Sequence, residues 1–179
     1  MEPLYLETTR LLLRGWREAD REMFFRMNSD PRVMRHFPAR LSRPESDALA
    51  DRIIADLDRD GFGLYAAELR SRAEFIGFVG LSVPNFEAPF MPAVEIGWRL
   101  APRYWNLGLA TEGARAVLRH AFGPLGMNQL VSITVPGNLA SRRVMEKIGM
   151  THDPADDFDH PRLPEGHPLR RHVLYRIRK

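Results

Sequence analysis

Between residues 93 and 123 the chain carries a strand that passes through a tight turn into a helix, and this unit restricts the folds open to it. Val94, Ile96, Trp98 and Leu100 alternate with Glu95, Gly97 and Arg99, the period-two pattern of a strand with two unlike faces. Ala110, Ala114, Val117, Leu118 and Ala121 then recur at helical spacing and stop at Gly123-Pro124. An inner face made of small residues lets that helix pack close to a sheet. In the connection, Gly108 and Ala110 leave room for another group to approach the main chain. The first N–H groups of a helix have no internal partner and lie at the positive end of its dipole, so such a turn can hold a diphosphate through backbone bonds. The Lys-Ser/Thr pair of nucleoside-triphosphate loops and the three-glycine spacing of dinucleotide loops are both absent, which disfavours phosphoryl transfer. The plain alternative is a packed strand-to-helix connection with no ligand.

The flanking segments supply a sheet for this unit. A first strand is expected over Thr9 to Trp16, then helices over Glu18 to Asn28 and Pro44 to Asp60, the latter with Leu49, Ile53, Ile54 and Leu57 on one face and Gly61 as its cap. Phe62 to Leu69 and Phe75 to Val83 predict two strands joined by the polar turn Arg70-Ser71-Arg72. Leu130 to Val135 predicts another strand, Asn138 to Ile148 a helix ended by Gly149, and His172 to Ile177 a closing strand. No repeat or low-complexity tract interrupts the pattern, and a single domain over residues 1–179 is expected.

Composition removes several functions. The chain has no cysteine, which excludes disulfides, thiolate metal sites and a cysteine nucleophile. Its net charge of +3 comes from 26 basic and 23 acidic residues spread along the chain, so no nucleic-acid footprint is visible. There is no apolar run long enough for a membrane span, and Met1 to Leu4 lack the basic-then-apolar pattern of a secretory signal; a cytoplasmic location is expected. The histidines His36, His160, His167 and His172 match no metal-binding spacing, and no metal is assigned.

A second motif, Asn138 to Met150, follows a strand. Physically, Asn138 is a helix N-cap and Ser141 a first-turn residue. Taken together, Glu95-Ile96-Gly97-Trp98, Tyr104-Trp105, Gly108-Leu109-Ala110-Thr111-Glu112, Asn138, Ser141 and Met145 to Met150 resemble the Gcn5-related N-acetyltransferase (GNAT) superfamily, most closely its RimJ/RimL-like branch. The likeness runs from Thr9 to Tyr175. Two positions depart from the wider pattern: Trp105 stands where Gln or Arg usually opens the phosphate loop, and Asn106 where Gly usually follows. Asn suits a left-handed backbone where Gly is missing.

The resemblance implies a mixed α/β fold, with a twisted, mostly antiparallel sheet of about six to seven strands, a splayed parallel pair and about four flanking helices. It implies acetyl-CoA as co-substrate and a primary amine, on a small molecule or a protein N-terminus, as acceptor, the protein being a monomer or homodimer. The main chain of Trp98, Arg99 and Leu100 would pair with the pantetheine arm, and the amides of Trp105, Asn106, Leu107, Gly108, Leu109, Ala110 and Thr111 would hold the diphosphate. Asn138 would reach the pantetheine or substrate region, and Arg143 or Lys147 the adenosine phosphates.

Glu95 is the candidate base, since an amine must lose a proton to attack, and amides near Gly97 and Trp98 would face the developing oxyanion. Ser141 is the candidate acid for the departing thiolate, with Tyr104 as runner-up. Trp16, His36 and Phe37, together with Phe86, Phe90 and Trp98, are candidates for the acceptor pocket, although most aromatics simply fill a core. A non-catalytic acyl-CoA-binding module is the alternative function.

Overall fold

A computed structural model of the protein describes residues 6–179. Nine strands are present: β1 (Leu6–Glu7), β2 (Leu11–Arg14), β3 (Leu64–Leu69), β4 (Glu74–Ser82), β5 (Glu95–Leu100), β6 (Gln129–Thr134), β7 (Thr151–His152), β8 (Phe158–Asp159) and β9 (Arg171–Arg178). Four helices flank them: α1 (Asp20–Ser29), α2 (Arg43–Asp60), α3 (Leu109–Phe122) and α4 (Leu139–Lys147). The sheet order is β1-β2-β3-β4-β5-β6-β9-β7, with β8 attached to β9. Every pairing is antiparallel except β5 with β6.

The mixed α/β class and the splayed parallel pair are as expected, whereas the strand count of six or seven is corrected to nine. The surplus consists of β1, β7 and β8, each two residues long, too short to carry a period-two signal. Three 3-10 turns, Val33–His36, Pro102–Tyr104 and Pro154–Asp156, are likewise absent from the sequence reading.

The longer elements form where local chemistry favours them. At the start of α2 the Ser42 N–H donates to Glu45 Oε2 at 2.7 Å, Pro44 occupies the first turn, and Gly61 ends the helix at φ 71°. On one face of the sheet, Phe24 of α1 meets Trp16 edge-on with ring centres 4.9 Å apart, and Phe78 of β4 at 6.1 Å. On the other face lies α3, so close that a Cβ added at Gly113 would sit 3.2 Å from Val79 Cγ2. Adjacent residues of β4, Phe78 and Val79, thus serve opposite layers.

A buried ion cluster ties α1 to the sheet. Arg14, 2% exposed, donates to Asp20 through Nη1 and Nη2 at 2.7 and 2.9 Å, and through Nε to Glu68 at 2.7 Å. Arg17 adds a second cation on Glu68 at 2.9 Å. Burial pulls the Arg14 pKa down, but the two carboxylates outweigh it and raise the value. Because every member is matched, removing one leaves a charge stranded. Asp20→Ala is expected to lower unfolding free energy by about 3–5 kcal/mol, measured by urea denaturation.

Candidate active site

Strands β5 and β6 lie in register at a single pair, Glu95↔Val131, and then diverge. The Val131 N–H donates to Val94 C=O at 3.0 Å, and one residue later the Ser132 hydroxyl donates to Ile96 C=O at 2.8 Å. A side chain thereby takes the place of the next main-chain bond, and the strands separate toward the C-terminal end of β5. The ladder with β4 determines what faces the gap. Ala101 N–H donates to Ile76 C=O at 2.9 Å, and since such bonds alternate along an antiparallel pair, Arg99, Gly97 and Glu95 commit their main-chain groups to β4. Those of Trp98 and Leu100 point across the gap. The Leu100 carbonyl accepts from the Trp105 indole at 2.7 Å, whereas Trp98 N–H and C=O have no partner among the described residues. Of the strand residues singled out in the sequence, Trp98 and Leu100 turn toward the gap, and Arg99 and the Gly97 amide do not.

Beyond β5 the chain passes through Pro102–Tyr104 and enters α3 through two left-handed residues, Asn106 at φ 60° and Gly108 at φ 77°. Asn106 therefore adopts the backbone for which Gly is usually needed. No side chain caps α3, and the N–H groups of Gly108, Leu109, Ala110 and Thr111 have no hydrogen-bond partner among the described residues. The Trp105 N–H is already bonded to Pro102 C=O at 3.1 Å. Side chains brace the turn instead of its own amides. Glu112 accepts from Thr8 Oγ1 at 2.6 Å, Arg10 N at 2.8 Å and Arg10 Nε at 2.7 Å, while Arg10 Nη1 holds Leu107 C=O at 2.9 Å. These partners stand about a hundred residues away in the chain, and nothing local to either end points to them.

Glu95 sits where the two strands part. Its side chain is half-buried, and desolvation pushes its pKa up to about 7, against a smaller opposing pull from the Ile133 amide. A carboxyl at that value is part ionised at neutral pH and can take a proton there. Across the gap, Asn138 caps α4 by accepting from Ser141 N–H at 3.3 Å and donates to Thr134 Oγ1 at 3.0 Å. The Ser141 hydroxyl makes no hydrogen bond among the described residues. The Tyr104 hydroxyl donates to Glu74 at 2.6 Å and is thus engaged on β4.

The remaining candidates lie in several places. Trp16 is half-buried against the core and donates its indole N–H to Leu64 C=O at 2.7 Å. Phe37 follows the turn holding His36 and stacks on Arg99, and burial lowers the His36 pKa. Phe86 and Phe90 belong to an aromatic cluster with Phe158, His160 and His172, in which the two imidazoles lie 5.0 Å apart. Burial lowers both imidazole pKa values, so the rings stay neutral at pH 7. Among the described residues no group of His, Asp and Glu could hold a metal ion. Arg143 is exposed and pairs with Glu146, whereas Lys147 joins Arg10, Arg115 and Arg119 around a basin of about 610 Å³ on the flank of the first turns of α3. Arg115 and Arg119 carry no motif signal; their place on α3 is what brings them to the basin.

A parted parallel pair with free amides at its mouth and an uncapped helix beside it is the arrangement that the resemblance to the GNAT superfamily implies for holding acyl-CoA. The family model "Acetyltransferase (GNAT) domain" matches residues 10–151, and the chain belongs to that family and is an acetyltransferase. It is 33% identical over 156 residues to the FsC-acetyl coenzyme A-N(2)-transacetylase of Aspergillus fumigatus, covering 82% of this chain and 65% of that protein's length. An uncharacterized N-acetyltransferase of Bacillus subtilis, YnaD, is 30% identical over 150 residues, covering 84% of each. The crystal structure of an acetyltransferase from Agrobacterium tumefaciens superposes with a TM-score of 0.79 at 28% identity, covering 100% of this chain and 96% of the other.

The Glu112 clasp is open to test. Burial raises the Glu112 pKa, and the bonds from Thr8 and Arg10 more than reverse this, leaving it low. A depressed pKa contributes stability that is present above the ordinary glutamate value of about 4.3 and lost as pH falls through the folded one. Glu112→Ala is expected to cost about 1–3 kcal/mol at pH 7 in urea denaturation, with a shallower loss of stability on acidification than in the wild type.

Proposed function

We propose that this chain transfers the acetyl group of acetyl-CoA to a primary amine in a ternary complex. The observation that carries this reading is the row of unpartnered amides from Gly108 to Thr111 at the mouth of the β5–β6 gap. Four adjacent donors at a positive helix end suit a diphosphate, and a side-chain cap would have filled the place. Trp98 C=O offers the pantetheine arm an acceptor on the strand edge, and the cations of the basin, Arg10, Arg115, Arg119 and Lys147, suit the remaining phosphate charge. The name of the Aspergillus relative, FsC-acetyl coenzyme A-N(2)-transacetylase, supports the same donor. The Glu95-Ile96-Gly97-Trp98 and Ser141 matches support the RimJ/RimL-like branch, and a chain free of cysteine suits the reducing cytoplasm. Among the described residues no helix is long and apolar enough to cross a membrane.

When bound, acetyl-CoA supplies an activated thioester carbonyl. The chain supplies the proton handling. Glu95, titrating near neutrality, accepts the proton of the amine directly or through water. Trp98 N–H, unpaired on the gap side, is placed to donate to a carbonyl oxygen that gains charge. The Ser141 hydroxyl is free to give its proton to a departing thiolate.

Acetyl-CoA is expected to raise the melting temperature, and thiol release with an amine panel is expected to follow. Absence of any shift with acetyl-CoA would sink the reading. For Glu95→Gln, kcat should drop by about 10²–10⁴-fold, and the rise of kcat/KM through about pH 7 should disappear from the pH profile. A raised carboxyl pKa means that the folded state binds the extra proton between the ordinary value and about 7, so wild-type stability should fall as pH rises through that window. Glu95→Gln should remove the fall.

A further inference from the structure

The fold holds two arginines in opposite ways, Arg14 buried and Arg99 half-buried. Arg14 is matched by two carboxylates, whereas Arg99 forms no ion pair among the described residues. Its Nη1 donates to Asn28 Oδ1 at 2.6 Å, and Asn28, wholly buried, is itself fixed by donating to Ser46 Oγ at 2.9 Å. Phe37 and Phe78 place their ring centres 4.2 and 5.3 Å from the guanidinium carbon. Nε is sealed from water without a partner, and Nη2 has no protein partner. Burial brings the pKa down to about 10, which still leaves the group charged at neutral pH. Rings and one amide oxygen orient this cation without neutralising it.

Of the two unpartnered nitrogens only Nη2 is open to an incoming group, and a carboxylate can accept from it in a charge-assisted hydrogen bond. A partly desolvated cation without a counter-ion costs stability unless an anion completes it. Position indicates which anion. Arg99 shares the α1/α2 face of β5 with Gly97 and Glu95, and a Cβ added at Gly97 would meet nothing within 4 Å, so the ground between acid and cation is open. Four residues of strand separate the Glu95 and Arg99 Cα atoms by about 13 Å.

We propose that Arg99 anchors a carboxylate of the acceptor, so that the substrate is an amine carrying a carboxylate at the far end of a short chain, its amine toward Glu95. This deepens the acetyl-transfer reading and rests on it. Glycine is too short to serve both ends, whereas an extended tripeptide spans about 10 Å. Arg99 is thus a specificity residue, set on the face of β5 opposite to Trp98.

The test uses matched pairs on the full chain: 6-aminohexanoate against hexylamine, and triglycine against triglycine amide, read as kcat/KM by thiol release from acetyl-CoA. The carboxylate member of each pair is expected to be favoured about tenfold or more, with triglycine better than glycine. The preference should collapse toward one in Arg99→Gln and return in part in Arg99→Lys. Calorimetric binding of 6-aminohexanoate against hexylamine reads the same contact without turnover. Equal or reversed preference in the native protein, or a preference unchanged in Arg99→Gln, overturns the proposal. Failure of acetyl-CoA to bind at all would instead strike the acetyl-transfer reading, because the calorimetric pair still reports on Arg99. Melting temperature gives a further check on the glutamine variant: removal of an unmatched, half-buried charge should leave it unchanged or raised, and a large drop would mean that Arg99 is already neutralised within the fold.

Discussion

The parting of β5 from β6 after one shared pair is the constraint on which the site depends. A parallel neighbour would ordinarily close the ladder, and here the Ser132 hydroxyl takes the Ile96 carbonyl in its place. Both halves of the sheet remain anchored, one through the antiparallel run β1 to β5 and the other through β6 with β9, so the gap needs no support from its own edges. Open strand edges within a sheet invite pairing with another chain. In this molecule the edge is short, lies inside the sheet and is partly roofed by the Trp105 indole, which leaves Trp98 as its main unpaired residue.

A loop that lends its amides to a ligand cannot also use them to hold itself in place. Arg10, Thr8 and Glu112 resolve this conflict by bracing the turn from outside, through side chains that come from the first strands and from α3. A division of the same kind appears among the arginines, where Arg14 completes the fold with matched partners and Arg99 is oriented but left unmatched. Charge thus has two signatures in one molecule: complete satisfaction where it supports structure, and a donor left open at Nη2 where it faces the ground beside Gly97.

Much of this was legible before any coordinates. The long elements announce themselves through period and punctuation: Ser42, Pro44 and Gly61 bracket α2, and the switch from alternation at Val94–Leu100 to helical spacing at Ala110–Ala121 locates the strand-turn-helix unit. The left-handed bend at Asn106 follows from residue type. What stayed hidden depends on distance along the chain. Glu112 meets Thr8 and Arg10, Phe86 meets His160, and Arg14 meets Glu68 only because the topology folds remote segments together. Trp16 illustrates the converse: an aromatic named for the acceptor pocket has its indole N–H bonded to Leu64 and its ring among Phe24, Phe75 and Phe78. The elevated Glu95 pKa and the unmatched charge of Arg99 have no sequence signal, since both arise from what surrounds the side chain.

The alternation along β5 has an evolutionary corollary. Trp98 and Leu100 address one side of the ribbon while Glu95, Gly97 and Arg99 address the other, so neighbouring codons answer to separate selective pressures. On the proposed reading of the site, exchange of the residues at 97 and 99 would alter the acceptor side while the backbone edge at 98 stays in service for the donor.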